Sequence, residues 1–320
     1  MSAAHAPVSS STAVKDAFPA TDAEAFTQHL ATLRRQVEAA MDASLADRPD
    51  IVANVPPSLR ESMRYSALGG GKRLRPVLVL LACEACGTPV AQSMPAAVAL
   101  EMIHCYSLIH DDLPAMDDDD LRRGRPTNHI VYGEATAILA GDGLLTRAFE
   151  VLATEIPSKD VALACVADLA SAAGWCGMVG GQAADLAAET TPITTLAELE
   201  QIHHRKTGRL LACALTMGGR IGGASALQLA ALSRYGFAIG LAFQIADDLL
   251  DVEGTSEKLG KQTQKDAGAG KATYPGFLGV EASRQRAADL VAQACGELEL
   301  FGPQGEWLAH LSRFIIERDH

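Results

Sequence analysis

Six aspartates stand within ten positions in the stretch His110-Asp-Asp-Leu-Pro-Ala-Met-Asp-Asp-Asp-Asp-Leu-Arg-Arg-Gly-Arg125. An apolar run, Ala96 to His110, delivers them. Aspartate is poor in helix interiors, and negative charge is disfavoured at a helix C-terminus, where the dipole is already negative. Acids so placed repel one another unless a cation sits among them. Hard divalent cations take carboxylate oxygens, and Mg2+ combines one or two carboxylates with substrate phosphates. Arg122, Arg123 and Arg125 would then hold the phosphates. A second apolar helix, Gly240 to Asp251, also ends in acids. Its Asp247 and Asp251 are four apart and share one face, about 5–6 Å apart at Cβ. A lone acid run usually means a solvated loop. Two runs, each closing a buried helix, point instead to acid clusters facing each other across a cavity.

Basic stretches supply the complement. Gly69-Gly-Gly-Lys-Arg-Leu-Arg-Pro76 combines flexible glycines, three cations and a proline suited to a first helical position. That resembles an anion site at a helix N-terminus. His203-His-Arg-Lys-Thr-Gly208 offers Lys206 and Thr207 to a phosphate at the start of the following helix, with the two histidines expected at the surface. His104 reads equally as a packed imidazole or a phosphate contact. The loop Gly254 to Tyr274, with Lys258, Lys261, Lys265 and Lys271, either closes over a charged ligand or is a solvated linker. A calcium loop of the EF-hand type fails on its own pattern. Counted from Asp111, the sixth position is Met116 where glycine is needed, and the twelfth is Arg122 where glutamate is needed.

Composition narrows the partners. A net charge of -12 argues against a general nucleic-acid binder, so the local basic clusters suggest small anions. Hydrophobic residues make up 48% of the 320 positions and aromatics only 5%, which favours an Ala/Leu-rich core of closely packed helices. Seven cysteines are an odd number and sit mostly in apolar runs. They predict core thiols in a reducing compartment, the cytoplasm, and no disulfide framework. Cys83-x-x-Cys86 lacks the second pair of a zinc site. Residues 1–20 lack the basic start and apolar centre of a signal peptide and read as a disordered tail. No window approaches about 18 uninterrupted apolar residues, so no membrane span is expected.

The elements that must position these groups are helices. Apolar positions at helical spacing run over Asp22–Leu45, where Phe26, Leu30, Leu33, Val37 and Met41 line one face. Further helices are expected over Pro76–Cys86, Pro95–His110, Glu134–Thr154, Lys159–Ala173, Gly177–Ala188, Leu196–His204, Leu210–Ile221, Ala226–Asp251, Glu281–Leu298 and Gly305–Glu317. Pro114 stops the helix before the acid loop. Extended alternation is missing throughout. The expectation is one all-α domain of roughly a dozen helices over residues 21–320.

The motifs DDLPAMD with LRRG, a downstream FQIADDLLD and an upstream GGGKRLRP resemble the trans-isoprenyl diphosphate synthase family, over about residues 25–320. The first motif has the two-residue Pro-Ala insertion of bacterial farnesyl and plant-type geranylgeranyl enzymes. The resemblance implies an isoprenoid synthase bundle around a central cavity, usually a homodimer. It implies condensation of isopentenyl diphosphate with dimethylallyl or geranyl diphosphate, giving farnesyl diphosphate. Carried over by position, Asp111, Asp117 and Asp247 bind Mg2+, three ions in all, with Asp112 and Asp251 in support. Lys72, Arg75, His104 and Arg123 match the isopentenyl diphosphate site. Arg122, Lys206, Thr207, Gln244 and Lys261 match the allylic diphosphate site.

Product length follows from geometry along the helix that precedes Asp111. Tyr106 and Ser107 lie roughly 6–7.5 Å back along its axis, about one isoprene unit. Tyr106 is either a packed core aromatic or a floor for the growing chain, and the resemblance implies the floor. Geranylgeranyl synthesis, a class I terpene cyclase and a non-catalytic subunit of a heteromeric synthase are the alternatives. A cyclase would leave Lys72, Arg75 and Arg123 unexplained, and a non-catalytic subunit would be expected to lack an acid motif.

Overall fold

The computed structural model describes residues 23–46, 49–253 and 272–317, so the N-terminal segment, Lys261 and most of the 254–274 loop lie outside the described residues. The architecture is all-α. The helices are α1 (Ala23–Ser44), α2 (Pro49–Asn54), α3 (Pro57–Ala67), α4 (Leu74–Ala85), α5 (Met94–Asp111), α6 (Asn128–Tyr132), α7 (Glu134–Glu155) and α8 (Lys159–Ala173). They continue with α9 (Met178–Thr190), α10 (Leu196–His203), α11 (Arg209–Ile221), α12 (Ala226–Glu253), α13 (Tyr274–Leu278), α14 (Val280–Glu297) and α15 (Glu306–Glu317). One departure from an all-helical chain is a two-residue hairpin, β1 (Leu121–Arg122) and β2 (Arg125–Pro126). It is too short to show alternation in the sequence.

Two core helices carry the acid motifs at their C-terminal ends. Helix α5 is apolar nearly all round and is buried from Ala96 to Ile109 except at His104, Ser107 and Leu108. It packs along α7, whose buried face is made of small residues (Ala137, Ala140, Gly141, Ala148) with Leu144 and Val151 between them. Small side chains let two helix axes approach closely, and dense packing repays the approach. Helix α12 runs 28 residues, about 42 Å, between α11 and α14. Gly236 and Gly240 permit the contact with α11, since a Cβ on Gly236 would stand 2.5 Å from the Ala212 Cα. The buried apolar side chains form one cluster from Phe26 to Ile315.

Two stretches, Lys159–Thr190 and Ala226–Val252, reach mean hydropathies of 1.5 and 1.3, which by length and composition a membrane span would also show. The first is interrupted at Gly174, whose extended backbone (φ −79°, ψ −159°) separates α8 from α9. The second is α12, which buries Leu232, Tyr235, Ile239, Ala242 and Ile245 within the bundle. The apolarity of α12 serves helix packing.

The glycine-rich segment differs from its expectation. Helix α4 begins at Leu74, so Pro76 is its third residue and not its first. Arg73 caps it in a left-handed conformation (φ 49°) and turns inward. Its guanidinium donates to Glu101 at 2.7 Å and to the Ala67 carbonyl at 2.8 Å, with both charged side chains almost wholly buried. Arg73 is thus engaged inside the protein and turned away from any ligand. A buried pair is costly to break, because the survivor is left charged in a low dielectric. Glu101→Leu should therefore cost about 3–5 kcal/mol in urea denaturation. Arg73→Met with Glu101→Leu should recover most of that loss. A double variant no more stable than the single would show that the pair is not the source.

Candidate active site

The end of α5 is satisfied by its own acid loop. Backbone N–H groups of Asp117 and Asp119 donate to the carbonyls of Asp111 and Asp112 at 2.8 and 3.2 Å. These are carbonyls that a helix C-terminus otherwise leaves unpaired. The chain then enters the hairpin, whose two central residues, Arg123 (φ 55°) and Gly124 (φ 73°), are both left-handed. That is the turn which matches strand twist, normally made by Asn-Gly or Gly-Gly. A left-handed arginine is an outlier, and here it presents Arg123 outward beside the glycine loop. The Arg123 guanidinium donates to the Gly70 carbonyl. It also fills the space where a Cβ on Gly71 would stand, and the φ of 138° there is what favours glycine.

Arg122 folds back onto Asp112, with Nε 2.6 Å and Nη2 2.5 Å from Oδ1. Asp112 is 3% exposed, and burial raises its carboxyl against the pull of Arg122. Asp111 is half-buried, and its carboxyl is pushed up to about 6, first by burial and then by Asp117 and Asp112, while Lys206 and Arg122 oppose the rise. Lys206 therefore faces the first acid motif from a different part of the chain. Asp117 and Asp118 are exposed.

Lys206 and Thr207 do not lie at a helix N-terminus. Residues His204–Gly208 form a single π turn that joins α10 to α11 without a break, and Gly208 is helical (φ −59°, ψ −43°). No free N–H groups point at a ligand there. The side chains carry the interaction instead. Lys206 Nζ is 2.6 Å from Asp185 Oδ2 on α9, and Thr207 Oγ1 donates to Gln244 Oε1 on α12 at 2.8 Å. Helix α9 reaches the turn because a side chain at Gly181 would collide with the Lys206 backbone. π turns are rare and recur at functional sites. His204 is exposed and stacked on Phe237, whereas His203 is half-buried beside Tyr274, so only one of the pair is a surface residue.

Arg75 and His104 meet at 3.4 Å, Nη1 to Nε2. Burial and then Arg75, Arg123, Arg122 and Arg73 hold His104 well below the usual imidazole range, so the ring is neutral. Arginine only donates, so Nε2 accepts and the ring proton sits on Nδ1. Burial also lowers Arg75, while Glu101 and, more weakly, Asp247 act in the other direction. The second acid motif thus lies in the field of Arg75. Asp248 beside it accepts from the Tyr274 backbone N–H at 2.8 Å. Lys72 is exposed. Tyr106 is buried at 6% exposure, and Ser107 Oγ donates to the His104 carbonyl at 2.9 Å. Among the described residues, no three Asp, Glu, His or Cys side chains converge on one point. Mg2+ does not require that, since it takes one or two carboxylates and fills its shell with water and phosphate.

Sequence reasoning missed Asp185, Gly181 and the inward turn of Arg73. An acid on the α9 sequence Met178–Thr190, one of only two there, was the available signal for Asp185.

The raised Asp111 carboxyl has a definite sign. Between its ordinary value of 3.8 and about 6 the folded protein holds a proton that the unfolded chain has lost. In metal-free protein, Asp111 therefore contributes a loss of stability as pH rises through that window and nothing further above it. Asp117→Asn should move the Asp111 midpoint down and shallow this slope, read by carboxyl carbon NMR and by denaturation at pH 4 to 7. An unmoved midpoint would show that Asp117 does not act on Asp111.

The Polyprenyl synthetase family pattern matches residues 56–299. The chain is 48% identical over 269 residues to a farnesyl diphosphate synthase of Geobacillus stearothermophilus, covering 83% of this chain and 90% of the relative. It is 48% identical over 267 residues to a geranylgeranyl diphosphate synthase of Cyanophora paradoxa, covering 83% and 89%. The fold superposes on the crystal structure of an FPP/GFPP synthase from Zymomonas mobilis with a TM-score of 0.81 at 38% identity, over 92% of this chain and 100% of that one. With the match running through both acid motifs and every helix between them, this chain belongs to the polyprenyl synthetase family.

Proposed function

We propose that the protein is a chain-elongating prenyltransferase. It condenses dimethylallyl and then geranyl diphosphate with isopentenyl diphosphate, releases pyrophosphate and delivers farnesyl diphosphate. The observation that carries this reading is electrostatic. Two acid motifs on α5 and α12 share one neighbourhood with cations from three other elements. Asp111 feels Lys206 of the π turn and Arg122 of the hairpin, and Arg75 of α4 feels Asp247. Relatives named for farnesyl synthesis, from Geobacillus stearothermophilus and Bacillus subtilis, support the product.

The residues suit Mg2+. Asp111, Asp117 and Asp247 are hard oxygen donors, and the Asp111 carboxyl, raised first by burial and then by Asp117 and Asp112, sits where a divalent cation would favour its charged form. Asp111 and Asp117 would hold metal on one side and Asp247 on the other, for three ions in all. Bound Mg2+ supplies Lewis-acid stabilisation of the departing pyrophosphate. The chain's own groups do the rest. Arg122, Lys206, Thr207, Gln244 and Lys261 grip the allylic diphosphate, whose carbon–oxygen bond breaks to leave an allylic carbocation. Charge accumulates on the leaving group as the bond breaks, so these cations favour the transition state over the ground state. Lys72, Arg75 and Arg123 hold isopentenyl diphosphate, and the neutral His104 offers its Nδ1–H to the same group. The isopentenyl double bond attacks the cation, and the departing pyrophosphate takes the proton lost from the new chain. An apolar wall keeps water from the carbocation, and Tyr106, with Ser107 beside it, closes the floor at farnesyl length.

Two further features belong to the proposal. The protein works in the cytoplasm, in keeping with seven unpaired thiols, as one domain over residues 21–320. It acts as a homodimer. Large apolar side chains stand exposed at Ile130 and Val131 on α6, at Ile138 and Leu139 on α7, at Trp175 just before α9 and at Val179 on it. Helices α6 and α7 pack against each other, and exposed apolar surface of this kind marks an interface. Sedimentation equilibrium should give twice the chain mass, and Leu139→Glu with Val131→Glu should halve it. A wild-type monomer would remove the dimer from the proposal.

The activity is tested by incubating dimethylallyl and isopentenyl diphosphates with Mg2+ and separating the products. Farnesyl diphosphate is expected. Asp247→Ala, lacking a metal ligand, should lose on the order of 10³-fold in turnover while keeping the wild-type melting profile. Product formed by the allylic substrate alone would favour a cyclase, and near-normal turnover of Asp247→Ala would remove the metal assignment.

A further inference from the structure

We infer that product length is set by Tyr106 together with the His110 imidazole packed against it, which α7 holds in place through Gly141. The inference rests on the chain-elongating reading above and on Tyr106 as its floor.

Tyr106 and His110 are four residues apart on α5 and so share a face. Their rings meet edge to face, centroids 5.7 Å apart at an interplanar angle of 77°, an arrangement that aromatic pairs prefer. His110 is in turn fixed from the opposite helix. Its Nε2 lies 3.0 Å from the Ile138 carbonyl oxygen of α7. A carbonyl can only accept, so Nε2 donates. Three residues further along α7, Gly141 is buried in the middle of a 22-residue helix. Glycine is disfavoured there on conformational grounds, and the reason it is kept lies in the space it leaves. A Cβ at position 141 would stand 2.6 Å from Cδ2 and 2.9 Å from Cε1 of the His110 ring, and closer still to Nε2. No side chain can occupy position 141 while the imidazole stays where it is. The ring is therefore held between α7 and Tyr106, and Tyr106 packs against a group that α7 positions.

A floor is only as firm as what packs against it, and the imidazole fills the space into which the Tyr106 ring would otherwise turn. Chain growth presses an apolar tail against Tyr106, and whether the phenol ring yields depends on whether the imidazole can move. Gly141 and His110 are thus specificity-positioning residues that need not touch the substrate, acting through Tyr106. The two are coupled by contact, which makes the inference separable from a general effect on folding.

The test measures product ratios at matched conversion with dimethylallyl and isopentenyl diphosphates and Mg2+. The proteins are wild type, Tyr106→Ala, His110→Ala, Gly141→Ala and the His110→Ala/Gly141→Ala double variant. Tyr106→Ala should lengthen the products beyond farnesyl. His110→Ala opens space beside Tyr106 into which the phenol ring can turn, and should raise the geranylgeranyl-to-farnesyl ratio severalfold. Gly141→Ala displaces the ring and should also change the ratio, but adding it to His110→Ala should change nothing more, because no ring remains to displace. Should Gly141→Ala fail to fold, His110→Ala alone decides. Wild-type ratios in His110→Ala overturn the inference. So does a Gly141→Ala effect of equal size with and without the imidazole, or a Tyr106→Ala that still stops at farnesyl. A wild-type protein that forms no elongated product at all refutes the underlying activity, and the missing wild-type peak tells that failure apart from the others.

Discussion

Carboxylate crowding at the C-terminus of α5 is the constraint to which the surrounding structure answers. Burial first, and then repulsion from neighbouring acids, raises the carboxyls of Asp111 and Asp112, and a helix C-terminus is itself a poor place for negative charge. The fold offsets the cost with charge imported from elsewhere. Arg122 arrives on a hairpin that exists only because Arg123 and Gly124 accept left-handed backbone. Lys206 arrives on a π turn against which α9 can press only through Gly181. Neither device stabilises much by itself, and the hairpin spends backbone strain at Arg123 to bring its cation to the acid. Strain of this sort persists where the surroundings over-determine it, which is the usual mark of a functional site.

Helix existence and the acid motifs were legible in the sequence because both are local. Buried positions on α1 fall at Phe26, Leu30, Leu33, Val37 and Met41, the residues that periodicity alone selects. The ends of α7, α8 and α14 agree with the sequence pattern to within a residue. What the sequence did not show is partnership. Nothing in GGGKRLRP distinguishes Arg73, which turns to Glu101 28 positions away, from Arg75, which turns to His104. All are cations on a glycine-rich turn, and only the left-handed backbone at Arg73 sends one inward. The π turn was illegible for a related reason. Thr207-Gly208 reads as a helix break by propensity, and tertiary contact with Phe237 and Gly240 overrode that preference. Asp185 was passed over because its meaning depends on Lys206, 21 residues away.

Glycine places the functional side chains more finely than the large core residues do. Leu78, Leu80, Leu100 and Ile103 fill space and would tolerate exchange of volume between them. Gly71, Gly141 and Gly181 each leave a gap that one particular group occupies: the Arg123 guanidinium, the His110 imidazole and the Lys206 backbone. A methyl group at any of them moves a charged or polar group beside the acid motifs, with little change in buried area. Hydrophobic burial therefore supplies the energy of the fold, and the absence of Cβ atoms supplies its register at the site.

The cations beside the acid motifs are already engaged by protein carboxylates, Arg122 by Asp112 and Lys206 by Asp185. The two pairs differ in what a diphosphate would have to overcome. Lys206 and Asp185 are each about one-third to one-quarter exposed, a setting in which ion pairs are worth only about 0–1 kcal/mol. A ligand carrying several charges outcompetes Asp185 easily, and Asp185 can then hold the ammonium's remaining hydrogens without being left unpaired. Asp112 is different, because its side chain is 5% exposed and removing its partner would strand a buried carboxylate. Arg122 must keep that contact while reaching outward with its free nitrogen, as a guanidinium with five donors can and an ammonium cannot do with the same geometry. Under the proposed function the planar fork would have two tasks at position 122, anchoring the acid loop and holding phosphate, whereas lysine at position 206 would have one and could exchange partners to perform it.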